Sequence, residues 1–461
     1  MLPPIENWER EPILPAAIAS AQSPTLTMLN RLGAALAANG ENCQAIEVFA
    51  EAVARHPGDA MARVNLANVL IKNEEHELAR QHIEHALQID ANFRPAHAGL
   101  AFVLPRLGEQ ELARWHGNIA FRGYCFVEAK YRGDATPIRV LELISTHGGN
   151  VRIRNFLSDR VFHRYLVTAE FYDASTPLPP HDLVVNAIGD AELAAAALTG
   201  AAELLRHSNA PVINAPAAVM RTGRAEVVGR LARVPGVVTA RTAMLDRGVL
   251  TGANTSAALA DAGFSFPLLL RSPGFHGGEH FVRVECANDL LPALDELPGQ
   301  ELLAIEYLDA RGEDGKCRKY RAMTIDGQLY PLHCAVSSNW KIHFFSAEMA
   351  NSAEHRAEDA AFLKNMPAVL GPRAMAALRA IQAELGLDYG GIDFGLDRQG
   401  NLLLFEANAT MVILPPGAEA KWDYRRPAME RVCRAVHAML IARANRTAPT
   451  ARVVHAPSFR V

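Results

Sequence analysis

The chain has 461 residues, 49% of them hydrophobic and 21% charged, with a net charge of −4. That length allows roughly three domains at ~150 residues each, and the ordinary composition speaks against a disordered chain. The net charge gives no overall case for nucleic-acid or anionic-membrane binding. No apolar run approaches the ~18 residues of a membrane-spanning helix. The start, "MLPPIENWEREPILPAAIAS", has prolines and acids where a secretory signal carries basic residues and then an apolar core. A cytoplasmic location is therefore expected. The six cysteines are scattered without a CxxC pair, so reduced thiols are expected rather than a disulfide scaffold or zinc ribbon.

Residues 1–25 read as an extension. After it the sequence repeats every 34 residues. Leu32, Leu66 and Leu100 share one phase, and Leu36, Leu70 and Leu104 a second. Ala45, Ala79 and Ala113 share a third, and Ala52, Ala86 and Ala120 a fourth. The leucines stand four apart, on one helix face, and the alanines suit the close packing of a second helix. Gly33, Phe49 and Pro57 complete the first unit. The pattern resembles tetratricopeptide repeats over 26–59, 60–93 and 94–127, within a helical domain at 26–130. The resemblance implies a solenoid whose concave face binds a peptide or protein partner or packs on a neighbouring domain.

From 137 to 240 the pattern changes. "IRVLELIS", "RYLVTAEF", "DLVVNAIGD" and "APVINAP" read as strands, with an alanine-rich helix at about 191–207. Strands alternating with helices predict a parallel, Rossmann-like α/β sheet. There is no GxGxxG, so dinucleotide binding is not expected. From 241 to 441, strand runs mix with helices near 287–297, 353–364 and 371–385. Residues 442–461 read as a flexible tail.

The chemistry concentrates in "GIDFGLDRQGNLLLFEANATM", residues 391–411. A hairpin turning at Gln399–Gly400 places Asp393 directly opposite Glu406, with Asn408 on the same face as Glu406. Opposed carboxylates repel. Either this is an exposed polar strand or a divalent cation, most naturally magnesium, joins the three side chains. Upstream, "FPLLLRSPGFHGGEHFVRVE" is strand, glycine-rich loop, strand. Arg271 ends the first strand. Gly274, Gly277 and Gly278 leave backbone N–H groups free to approach phosphate, unless they merely form a turn. "ELLAIEYLDARGEDGKCRKYRAMTIDGQLYP" adds a strand, a charged loop and a hairpin around Asp326–Gly327, with Arg321 able to face a phosphate or carboxylate.

This order of motifs, together with "NAPAAVMRTGR" at 214–224, resembles the ATP-grasp ligase superfamily. The glutathione-synthetase-like and ribosomal-S6-modification-like branches are the most similar. The resemblance covers about 137–441. It implies an α-helical repeat solenoid followed by an α/β pre-ATP-grasp domain (137–240) and an α+β ATP-grasp domain (241–441). It further implies that Arg224 and Arg271 contact ATP phosphates, with loop 272–278 closing over them. Glu306, Tyr307 and Leu308 would form the hinge that holds adenine. Asp393, Glu406 and Asn408 would hold one or two Mg2+ (or Mn2+) ions, and Arg321 would orient an acyl phosphate or substrate carboxylate. The activity implied is ATP-dependent joining of a carboxylate to an amine or other nucleophile, with release of ADP and phosphate. A phosphotransferase, or a repeat scaffold with a degenerate nucleotide domain, are the alternatives. The sequence departs from the family in three respects, at four places. Arginine replaces lysine at both phosphate positions, Lys319 stands where an acid is usual, and "ATMVILPPG" replaces a small-Pro-Gly run. "SSNWKIHFF" is a candidate substrate wall. Lys341 and His343 could meet a carboxylate there, and His333 elsewhere could too, although each histidine also fits a structural role, and His276 lies in the glycine loop.

Overall fold

The 34-residue periodicity becomes a stack of helical hairpins. The computed structural model describes residues 24–123, 125–252, 254–273, 280–342 and 347–445. Helices α1 (Leu26–Asn39) and α2 (Asn42–Arg55) form the first hairpin. The second is α3 (Ala60–Lys72) with α4 (His76–Ile89), and the third is α5 (Arg94–Val103) with α6 (Gln110–Phe121). Thr25 and Asp59 cap α1 and α3 by accepting the amides of Met28 and Ala62, which satisfies N–H groups a helix start leaves open. All six phased alanines are buried. Gly33 is needed because a Cβ there would sit 2.7 Å from the Phe49 ring. The counterparts of Phe49 one and two periods on are Ile83 and Gly117. At Gly117 the ring of Phe171 fills the place of the missing side chain, and it stacks on Phe121 at 5.2 Å between centroids. The third hairpin therefore ends on an aromatic of the following sheet region rather than on a fourth repeat.

That sheet region has β2 (Ile138–Ile144) between β3 (Phe162–Thr168) and β4 (Leu183–Asn186), all parallel, with β1 (Phe126–Glu128) antiparallel to β3. β4 is buried along its whole length, as expected for a parallel strand covered on both faces. Helix α7 (Ala195–Leu205) buries Ala197, Leu198, Ala201 and Leu204 along one face. The helical hairpins and this region pack as one compact unit. A second unit comprises 151–157, 189–195 and the chain from Pro211 onward.

The second unit opens with β5 (Val212–Ile213), α8 (Pro216–Met220) and α9 (Arg224–Leu231). Its first sheet is antiparallel, in the order β7 (Thr242–Asp246), β10 (Glu301–Glu306), β8 (Leu268–Arg271), β9 (Phe281–Val284). Short helices α10 (Arg247–Thr251), α11 (Thr255–Asp261) and α12 (Leu290–Asp295) accompany it. Leu250, Leu259, Leu270, Leu294 and Leu302 lie in its core. The second sheet runs β12 (Gln328–Ser337), β11 (Cys317–Ile325), β13 (Tyr389–Leu396), β14 (Leu402–Asn408), β6 (Val237–Thr239). Only β6 is parallel to its neighbour. Asp326 and Gly327, both with positive φ, turn the β11–β12 hairpin at the expected place. Helices α13 (Ala353–Lys364), α14 (Met366–Leu385, broken at Gly371–Pro372) and α15 (Arg426–Asn445) complete the unit. Tyr320 stacks on Phe394 and packs against Phe362, joining β11, β13 and α13.

All six cysteines are free. Among the described residues no helix is long and apolar enough to cross a membrane. Residues 1–23 of the expected extension and 446–461 of the expected tail lie outside the described residues. Helix α15 continues to Asn445, four residues into that tail.

Candidate active site

Four antiparallel strands bring four polar side chains into one row. His333 on β12 pairs with Arg321 on β11, Arg321 with Asp393 on β13, and Asp393 with Glu406 on β14. The expected opposition of Asp393 and Glu406 is present, but the turn does not create it. The chain turns over Asp397–Asn401, with Gly400 at φ 76°, not at a two-residue Gln399–Gly400 turn. Leu396 then pairs with Leu402 and Phe394 with Leu404, one step off the expected register. A bulge between Asp393 and Phe394 restores it. The extra residue, Phe405, is left without a cross-strand partner and is 40% exposed.

Asp393 is fully buried and heavily engaged. Arg321 grips it with both forks, Nε to Oδ1 at 2.5 Å and Nη2 to Oδ2 at 2.8 Å. Lys319, two residues earlier on the same strand face, places Nζ 2.7 Å from Oδ2. Burial pushes the Asp393 carboxyl upward, but Lys319 and Arg321 outweigh it and hold the group below the usual carboxylate range. His333 is likewise buried. Burial first, then the Arg321 charge, drive its pKa well down, so it faces the row as a neutral ring.

Beside the row lies an open cleft of about 310 Å³, lined by Asp190, Glu192, Thr222, Arg224, Glu406, Asn408 and Thr410 among others. Arg224 is the first residue of α9. Its backbone N–H donates to Glu192 at 2.9 Å, and its guanidinium lies 3.7 Å from the same carboxylate. Arg271 ends β8. Burial and the Arg224 charge lower its pKa, while Glu406 and Glu192 act in the opposite direction, so Arg271 lies within electrostatic reach of Arg224 and Glu406. Asn408 donates from Nδ2 to Glu406 at 2.9 Å. Its Oδ1 accepts the Thr410 amide at 3.0 Å and hydroxyl at 2.9 Å. This gives "ATM" a local role. Thr410 orients Asn408, while Met411 covers Gly391, where a Cβ would strike its side chain, and its carbonyl accepts Tyr389 Oη at 2.7 Å. The "NAP" stretch also docks here. Asn214 bonds the backbone of Tyr389 in both directions, at 2.7 and 2.9 Å.

Other expected site residues have partners of their own. Glu306 ends β10 and accepts the Arg241 amide at 3.0 Å. Tyr307 follows it, with the Arg283 guanidinium 4.0 Å over its ring, and Leu308 comes next. Lys341 donates to the Phe281 carbonyl at 3.2 Å, and Trp340 packs edge-on against the Phe281 ring at 5.3 Å. The "SSNWK" segment therefore holds the base of the β8–β9 loop. Gly274, Gly277, Gly278, His276 and His343 lie outside the described residues.

Among the described residues, no three His, Cys, Asp or Glu side chains are arranged to hold a metal ion. The donors present fit a cation only in part. Glu406 offers a carboxylate whose one hydrogen bond among the described residues is from Asn408. The Asn408 oxygen would have to exchange a Thr410 bond for the ion. Both Asp393 oxygens are already taken by cationic side chains. In the sequence Lys319 stands out only as a departure from the family pattern, although two-residue spacing from Arg321 puts it on the same face. Glu192 carried no motif at all.

Residues 36–103 match the family model for the tetratricopeptide repeat. No curated protein matches the chain. Among the solved structures similar to about two thirds of it are the following three. One is a RimK domain ATP-grasp protein from Sphaerobacter thermophilus, with 16% identity, TM-score 0.39, and coverage of 66% of this chain and 99% of that one. Another is D-alanyl-alanine synthetase A from Vibrio cholerae, with 14% identity, TM-score 0.41, and coverage of 68% and 99%. The third is an ATP-complexed D-alanine–D-alanine ligase from Bacillus anthracis, with 12% identity, TM-score 0.43, and coverage of 68% and 98%.

Proposed function

We propose that this chain is an ATP- and magnesium-dependent ligase that joins a carboxylate to an amine or another nucleophile through an acyl phosphate. One arrangement supports the reading: a strand-borne row of acidic and basic side chains, Arg321–Asp393–Glu406, beside a cleft that carries Arg224 at a helix start. Such a start, with a guanidinium beside it, suits phosphate oxygens.

In this reading Arg224 and Arg271 hold the nucleotide phosphates, and Gly274, Gly277 and Gly278, which lie outside the described residues, are proposed to contribute backbone amides to them. Glu306, Tyr307 and Leu308 receive the adenine. The substrate carboxylate attacks the γ-phosphorus, and ADP leaves. The amine then attacks the acyl carbon, the C–O bond to the phosphate breaks, and phosphate leaves with the bridging oxygen and its bonding electron pair while the amine nitrogen loses a proton. Arg321, its guanidinium plane fixed by Asp393, faces the charge that develops on the acyl phosphate. Magnesium, bound through Glu406 and Asn408, supplies further charge neutralisation when present. No side-chain nucleophile is needed. For the repeats we propose recruitment of a peptide or protein partner.

The test is release of ADP and phosphate from ATP, with Mg2+ and a pool of cell metabolites and peptides, followed by mass spectrometry of the products. A new amide or equivalent condensation product is expected. A stable phosphorylated product would instead identify a phosphotransferase, and absence of Mg2+-dependent ATP binding would leave a scaffold. If the repeats recruit a peptide substrate, Trp115→Ala, at a residue 56% exposed on α6, should raise the KM for that substrate and leave the KM for ATP unchanged.

A further inference from the structure

The cation count at Asp393 differs from what two opposed carboxylates in a metal site require. Asp393 and Glu406 face each other across β13 and β14, and such a pair needs positive charge between or beside it. Two devices can supply it, a second divalent ion or fixed cationic side chains. Here the chain carries its own. Oδ1 of Asp393 accepts Arg321 Nε at 2.5 Å, and Oδ2 accepts Arg321 Nη2 at 2.8 Å and Lys319 Nζ at 2.7 Å. The carboxylate has no solvent exposure. Two acids and two bases already balance.

A magnesium ion demands near-ideal geometry at ~2.0–2.1 Å from each oxygen. At Asp393 it would have to enter beside an ammonium and a guanidinium that already touch both oxygens, in a place water does not reach. Glu406 differs. Its one hydrogen bond among the described residues comes from Asn408, and both residues line the cleft.

We propose that this site takes one divalent cation, on Glu406 and Asn408, and that Lys319 together with Arg321 stands at Asp393 in place of a second ion. Asp393 is then a positioning residue. It fixes the guanidinium plane of Arg321 and the Lys319 ammonium, and it is not a metal ligand. The strand geometry accounts for the choice of residue 319, since a two-residue step keeps it on the face of Arg321. This inference rests on the nucleotide-dependent reading of the site.

The test is equilibrium dialysis of the full chain against Mn2+ at saturating ADP, counting both ligands bound per chain. One Mn2+ is expected. Two Mn2+ in the wild type overturn the inference and leave the nucleotide reading standing. Failure to retain ADP overturns the nucleotide reading, and this inference with it. Lys319→Ala is expected to admit a second Mn2+, whereas Lys319→Arg, which keeps the charge, stays at one. A Lys319→Ala protein that stays at one overturns the replacement. Asp393→Asn should change Mn2+ affinity by less than the about tenfold expected on altering a group that orients or binds the ion. A larger loss makes Asp393 a ligand. The wild-type count decides the matter even where Asp393→Asn fails to fold.

Discussion

Two buried carboxylates serve the same sheet and are held in opposite ways. Asp393, inside β13, touches two cations at 2.5–2.8 Å and is held ionised. Asp359, on α13, accepts the Cys334 amide on β12 and the Tyr424 hydroxyl, each at 2.7 Å, with Arg425 Nε 3.5 Å away. There burial wins over Arg425 and both hydrogen bonds, and the group is pushed up to about 6. Neither residue has any solvent exposure. Burial alone therefore does not set the protonation state. The number of cationic groups in direct contact does. The difference also separates roles. Asp359 ties α13, β12 and the segment before α15 together. Asp393 spends its charge holding two cations next to a cleft.

The largest effect should come from removing one of those cations. Arg321→Ala leaves Asp393 buried with Lys319 alone. Loss of one member of a buried ion pair costs ~3–5 kcal/mol, and the surviving Lys319 contact favours the lower end of that range. Urea denaturation of wild type and variant at neutral pH reads the change directly. The corresponding change at the other carboxylate, Arg425→Ala, should cost clearly less, because Arg425 sits farther off and Asp359 can take up a proton. Equal losses would break the contrast between the two sites.

The sequence made the repeats and the alternation of strands with helices legible because both are written as local patterns, whereas the order of strands within each sheet is not. The leucine and alanine phases at 34 residues correspond to three helical hairpins, and the alternation after residue 137 to a parallel sheet. The row at the site was partly legible. Asp393 does oppose Glu406, yet through a bulge at Phe405 that no local turn signal announces, since "DRQGN" also fits a shorter turn. Lys319 was visible as an anomaly, but its contact with Asp393 depends on how three strands align. Glu192 lies 32 residues before Arg224, and only the folded chain brings them together. The substitution of Phe171 for a repeat side chain at Gly117 is long-range in the same sense.

The next effect concerns Asp359 and pH. Its folded pKa, about 6, lies above the ordinary carboxyl value of 3.8. Between those values the folded chain keeps a proton that the unfolded chain has lost. This stabilising contribution is complete below about pH 4 and is lost as pH rises through about 6. Its full size is about 3 kcal/mol. Asp359→Asn keeps a neutral group at every pH, and its amide can still meet the Cys334 amide and the Tyr424 hydroxyl, the hydroxyl now accepting. The stability of the variant relative to wild type should therefore rise by up to about 3 kcal/mol between pH 4 and pH 7. A flat difference would show that Asp359 is ionised throughout, like Asp393. Asp393 contributes with the opposite sign. Its folded pKa is depressed, so its contribution is lost only as pH falls below the usual carboxylate range.

The smallest effect tests how the row meets the cleft. Thr410→Val keeps the shape and the backbone bond to Asn408 Oδ1 but removes the hydroxyl bond at 2.9 Å. One such hydrogen bond contributes about 1 kcal/mol net, and stability should fall by that amount. Mn2+ affinity should move the other way. In the present arrangement the Asn408 oxygen is turned toward Thr410 while its nitrogen faces Glu406, so an ion shared by Glu406 and Asn408 must compete with the Thr410 hydroxyl. Removing that competitor should tighten Mn2+ binding by up to about fivefold, the equivalent of the same 1 kcal/mol. Weaker binding would mean that Thr410 presents the amide to the ion rather than holding it back. The Asp393 contacts with Arg321 and Lys319 involve neither Thr410 nor Asn408, so the variant perturbs the cation seat while leaving the fixed cations in place.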